Sequence, residues 1–236
     1  MKGLSALPST AQGRLEQLKK SLEEVLGDNL VSLIVHGSAV RGGFRDGQSD
    51  VDVVLIIRND ARDKLMAASD ALQLARFSAR IETMILTSDE VGRAADAFPL
   101  LYDDIQRCHV VLSGTDPFDG LEIAERHRRL RIEQELREGQ IRMRRALVDS
   151  MGQQKLLAGA VVRKVRQLRG PMLALLALKG IECPDTLEDV YAVAGKTWDV
   201  DHKPLLNANN APYAAHDALS ALLTKAVDDV DRRPEG

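Results

Sequence analysis

Residues 31–57, VSLIVHGSAVRGGFRDGQSDVDVVLII, constrain this chain more than any other stretch. Two short apolar, β-branched runs, Leu30 to Val35 and Val51 to Ile57, flank a glycine-rich loop. Runs of that length and composition read as strands buried on both faces. The first closes on Gly37-Ser38, a tight turn where a residue without a side chain lets the backbone approach a ligand. A helix starting after Ser38 would add free N–H groups and a hydroxyl suited to phosphate oxygens. The second run opens on Asp50-Val51-Asp52. Side chains at i and i+2 of a strand share a face, with Cα atoms about 6–7 Å apart. Asp50 and Asp52 therefore present two carboxylates side by side, which is unfavourable unless a proton or cation neutralises them. Such oxygen donors suit Mg²⁺, which accepts a few carboxylates and completes its octahedron with water and substrate phosphates.

A third strand is expected at Ile81 to Leu86, after a helix over 61–76. Glu82 stands there among apolar neighbours. If this strand lies beside the second, Glu82 points at the two aspartates and serves as metal ligand, general base or both. The plainer reading is a strand carboxylate paired with Arg80 or another cation. Asp50 and Asp52 have a plain alternative too, as strand-start residues capped by their own backbone. Arg41 reads either as a phosphate contact or as a solvated loop arginine.

These residues resemble the signature of the nucleotidyltransferase superfamily related to DNA polymerase β. That signature is a Gly-Ser pair, about ten residues, then Asp-x-Asp opening a strand. Gly37-Ser38 and Asp50-x-Asp52 fit it, and Arg41-Gly42 matches the GS-x-x-R-G form of minimal and aminoglycoside nucleotidyltransferases. The acidic residue those enzymes carry on a later strand falls on Glu82. The resemblance implies a magnesium-dependent transfer of a nucleoside monophosphate from a nucleoside triphosphate to an acceptor hydroxyl. Asp50, Asp52 and Glu82 would be the catalytic and metal-binding residues, for two Mg²⁺ ions, and Gly37, Ser38, Arg41 and Ser49 would hold the nucleotide. The acceptor stays open between a small molecule such as an aminoglycoside and a protein or RNA, as in nucleotidylating toxin–antitoxin partners. A non-catalytic nucleotide binder of the same fold is the third alternative. The motifs cover about residues 31–118.

The rest of the chain fixes the architecture. Leu15, Leu18, Leu22, Val25 and Leu26 recur at helical spacing and predict a helix over about 10–27, capped by Ser9 or Thr10. A short helix at 88–97 and a fourth strand at 108–112 complete the first half. SGTDPFDG at 113–120 is the strongest loop signature in the chain. Beyond it the spacing predicts only helices, at about 121–150, 153–179, 185–195 and 213–231, with Gly170-Pro171 kinking or restarting the second. The expected fold is α+β: a mixed-sheet nucleotidyltransferase domain over 1–118, then a helical-bundle domain for substrate or partner over 119–236.

Composition removes other classes. The 236 residues carry 32 basic and 35 acidic side chains, a net of −3, and eight aromatics, which disfavours a DNA-binding reading. Charge is segregated, however. Residues 1–118 hold 13 basic and 17 acidic side chains, a net of −4, whereas 126–169 hold 13 and 4, a net of +9. That basic block reads either as a solvated helix face or as a surface for an anionic ligand, with Arg163, Lys164 and Arg166 as its sharpest members. Two cysteines, Cys108 and Cys183, exclude a disulfide framework or a four-cysteine zinc site. The five histidines are too scattered for a zinc site. No phosphate-binding G-x-x-x-x-G-K-[ST] or hydrolase G-x-S-x-G motif occurs. With no long apolar run or apolar leader, a cytoplasmic location away from membranes is expected.

Overall fold

The computed structural model describes residues 3, 4, 7–42, 44–47 and 49–232. The chain divides into two compact units, residues 1–123 and 124–236.

The first unit is built on a four-stranded sheet: β1 (Leu30–His36), β2 (Val51–Ile57), β3 (Ile81–Thr87) and β4 (His109–Gly114). Spatial order is β3-β2-β1-β4, with β1 antiparallel to both β2 and β4, and β2 parallel to β3. The sheet is thus mixed, as expected. β1 and β2 are central and mostly apolar, broken only by Ser32, His36 and Asp52, because both their faces are covered. On one face Leu33, Val35, Val53, Leu55 and Ile57 pack with α1 (Ser9–Leu26) and α3 (Arg62–Ala79). On the other, Ile34, Val54 and Ile56 pack with Val91 of α4 (Ser88–Arg93) and with Tyr102 and Ile105 of α5 (Pro99–Arg107). Phe118 meets the Tyr102 ring edge-on, with centroids 5.0 Å apart. The Gly37-Ser38 turn leads into a single helical turn, α2 (Ser38–Arg41).

The second unit is helical: α6 (Glu125–Asp149), α7 (Gln154–Leu178), α8 (Leu187–Thr197), α9 (Lys203–Leu206) and α10 (Pro212–Asp231). Ile132, Leu136 and Met143 of α6, Val161, Val165 and Leu168 of α7, and Leu219, Leu222 and Leu223 of α10 are all buried. Gly170-Pro171 does not restart α7, which runs through Pro171 as one helix. An interior proline costs roughly 3 kcal/mol. Here it sits in a segment buried without a break from Pro171 to Leu176, and that burial offsets the lost hydrogen bond. Among the described residues no helix is long and apolar enough to cross a membrane.

Candidate active site

Strand register sets four polar residues in one row across the sheet. Glu82 pairs with Asp52, Asp52 with His36, and His36 with His109. Residues paired across strands share a face. This row belongs to the face covered by α4 and α5, and the next rung on that face is the apolar set Ile34, Val54 and Met84. Apolar packing therefore gives way to charge within one rung.

Asp52 is the centre of the row. Burial, and then the negative charges of Asp50, Asp104 and Glu82, push its carboxyl from 3.8 up to about 6, with Arg41 opposing. Its Oδ2 lies where a side chain on residue 37 would be: a Cβ at Gly37 would approach it to 2.6 Å. Gly37 also has φ 71° and ψ −148°, a conformation that side-chain-bearing residues avoid. The glycine is thus required twice, by its backbone and by the carboxylate laid against it.

The two outer carboxylates turn to arginines. Asp50 Oδ1 accepts from Arg80 at 2.8 Å, and Glu82 Oε1 accepts from Arg76 Nε at 3.1 Å. All four side chains are about half exposed, so these pairs are screened and weak. Arg80 is also the left-handed cap of α3, at φ 52°, where its N–H meets the Ala75 and Arg76 carbonyls. The carboxylates named by the sequence thus share one stretch of the β2–β3 pair. Among the described residues, however, no group of three or more His, Cys, Asp or Glu side chains is set to hold a metal ion.

The residues assigned to the nucleotide lie around the same end of the sheet. Gly37 caps α2, with its carbonyl accepting from Val40 and Arg41 at 3.2 and 3.0 Å. Ser49 closes its own loop: its Oγ accepts from the Arg45 N–H at 3.0 Å and its N–H donates to the Arg45 carbonyl at 2.8 Å. Arg41 is not a solvated loop arginine, because its Nη1 meets Asp104 Oδ1 at 2.5 Å.

Three residues of this neighbourhood escaped the sequence reading. His36 is 8% exposed, its Nδ1 has no hydrogen-bond partner, and burial lowers its pKa. His109 places Nδ1 2.7 Å from the Ile105 carbonyl and Nε2 2.7 Å from Asp116 Oδ2. Asp104 lies on α5, in a stretch left without an element. The pattern Pro99, Tyr102, Ile105, with proline at the helix start, was the available signature. In the helical unit, Arg163 and Lys164 line an open groove of about 800 Å³ between α6 and α7, with Glu135, Glu138 and Arg142. Burial and then Arg142 lower the Lys164 pKa.

Residues 15–138 match the family described as Nucleotidyltransferase domain. Among curated proteins none matches the sequence. Among solved structures, the fold is similar to spectinomycin adenyltransferase AAD(9) from Enterococcus faecialis, determined with ATP and spectinomycin. The two are 13% identical with a TM-score of 0.58, over 94% of this chain and 99% of that one.

Proposed function

Because the chain belongs to the nucleotidyltransferase family, we propose that it moves a nucleoside monophosphate from a nucleoside triphosphate to the hydroxyl of a small-molecule acceptor. The observation carrying this reading is Asp52, held against Gly37 and in register with Glu82, two residues after Asp50. Acceptor oxygen attacks the α-phosphorus, the bond to the bridging oxygen breaks, and pyrophosphate leaves. Glu82 takes the acceptor's proton as general base. The Gly37-Ser38 turn, Arg41 and Ser49 hold the triphosphate.

Asp50, Asp52 and Glu82 are the residues that would hold Mg²⁺, as two ions. Their chemistry fits: all are hard oxygen donors, and Asp52, raised first by burial and then by the neighbouring carboxylates, is a group that a cation would relieve. When bound, the metal supplies neutralisation of phosphate charge and a lowered pKa for the attacking hydroxyl. At Asp50 and Glu82 the metal would compete with exposed, weak arginine pairs that each engage one carboxylate oxygen.

A polyhydroxylated, cationic acceptor is favoured by the acidic balance of residues 1–118, at 13 basic and 17 acidic side chains. The chain also matches, over nearly its whole length, an enzyme solved with ATP and spectinomycin. The test incubates the protein with each α-labelled nucleoside triphosphate, Mg²⁺ and a panel of aminoglycosides and aminocyclitols. Label should appear on a small molecule, and Asp50→Asn or Asp52→Asn should abolish it while leaving the protein folded. Label on protein or RNA would overturn the acceptor class. Nucleotide binding without metal-dependent turnover would overturn the enzyme.

A further inference from the structure

Asp104 sits outside every motif, yet it is bonded to one. Arg41 ends the single helical turn that starts at Gly37, and its Nη1 meets Asp104 Oδ1 at 2.5 Å. This pair differs from the other two ion pairs at the site. Its side chains are 18% and 28% exposed, against 53% and 45% for Arg80–Asp50. Shielded from water, a charge-assisted bond holds its geometry far better than an exposed one. It also ties together elements 63 residues apart in sequence. The turn it restrains has little tolerance, since the Gly37 backbone lies against Asp52 Oδ2 with no room for a Cβ.

We propose that Asp104 is a positioning residue: through Arg41 it fixes the Gly37-Ser38 turn, and with it the phosphate-holding face of the site. This rests on the reading that the turn holds the triphosphate. Asp104 touches no reacting atom in this role. An isolated carboxylate beside a polyanion's site repels the ligand, so its removal by charge alone would tighten nucleotide binding. A clamp predicts the opposite sign.

The experiment compares wild type, Asp104→Asn, Asp104→Glu, Arg41→Gln and the double variant Arg41→Gln/Asp104→Asn. It reads affinity for a nucleoside triphosphate with Mg²⁺, and amide hydrogen exchange without ligand. Asp104→Asn should weaken nucleotide binding on the order of tenfold, the scale of one lost charge-assisted hydrogen bond. Asp104→Glu should recover most of that loss, and the double variant should bind no worse than Arg41→Gln alone. Amides of residues 37–41 should exchange faster in Asp104→Asn while those of β1 and β2 keep their protection. Tighter nucleotide binding by Asp104→Asn, or unchanged exchange at 37–41, would overturn the clamp. If Asp104→Asn does not fold, amide exchange at residues 37–41 in Arg41→Gln decides it, faster exchange supporting the clamp and unchanged exchange overturning it. Wild type that binds no nucleoside triphosphate would instead sink the nucleotidyltransferase reading, and the exchange comparison would still decide the role of Asp104.

Discussion

Along α6, Arg131 meets Glu135, Arg137 meets Glu133, Arg142 meets Glu138 and Arg145 meets Asp149, every pair four residues apart on one helix. In the strand row, Glu82, Asp52, His36 and His109 come from four different strands and meet only because the sheet brings them into register. The helix pairs opposite charges as it forms, in water, at little cost and little gain. The row gathers carboxylates and half-buries one beside others of its own sign, against the preference of each. A fold keeps such an arrangement for what it does, and keeps the helical kind for solubility.

The sharpest way to break that contrast is to remove one carboxylate from each region. Glu82→Gln should slow single-turnover transfer by roughly 10²–10⁴-fold, the scale of a lost general base. Nucleotide affinity should barely move, because the Gly37-Ser38 turn and the two aspartates remain. Glu135→Gln on α6 should change neither rate nor affinity. Equal effects from the two substitutions would erase the distinction.

Glycines sharpen it next. Gly37→Ala forces a Cβ against Asp52 and a side chain into a backbone region reserved for glycine. It should cost roughly 1–3 kcal/mol in thermal or chemical unfolding. In α6, a Cβ at Gly139 would meet the ends of the Leu168 and Leu223 side chains, at 3.1 and 3.4 Å, with an ordinary helical backbone. The gain in helix propensity and the crowding there should leave Gly139→Ala within about 1 kcal/mol of wild type.

The last contrast is in pH. Asp52 has a folded-state pKa near 6, above its ordinary 3.8. Below 3.8 it is protonated in both states and costs nothing. As pH rises through 4 to 6 the unfolded chain ionises first, so folded stability falls, and the loss is complete above 6. In the absence of divalent cations, melting temperatures from pH 4 to 7 should therefore decline less in Asp52→Asn than in wild type. Parallel curves would show that the carboxyl titrates normally.

Local chemistry was the legible part of this molecule. The runs at Leu30, Val51 and Ile81 announced three of the strands, and the mixed sheet followed by helices came with them. Heptad-like spacing found α6 and α7. Tertiary burial decided what local rules misjudged, such as Pro171 inside a continuous helix. The carboxylates could be named from spacing, and so could a cationic partner for Glu82, Arg80 or another; the structure gives that place to Arg76 and gives Arg80 to Asp50. Asp104 stayed hidden because α5 has only nine residues and shows three buried positions, too few to mark a helix against its paired aspartates. His36 and His109 became neighbours through strand pairing, which no single segment encodes.

The contact between Gly37 and Asp52 also bears on how this chain can change over generations. Position 37 has two constraints of different origin, one from its own backbone and one from the carboxylate at position 52. A lineage that abandons the carboxylate releases the second but not the first, so an alanine at 37 still strains the turn. Mutational paths are therefore one-way: Asp52 can drift while Gly37 stands, but Gly37 cannot be lost first without displacing Asp52. Glycine at position 37 therefore outlasts the carboxylate, and its presence alone says nothing of whether Asp52 is still there.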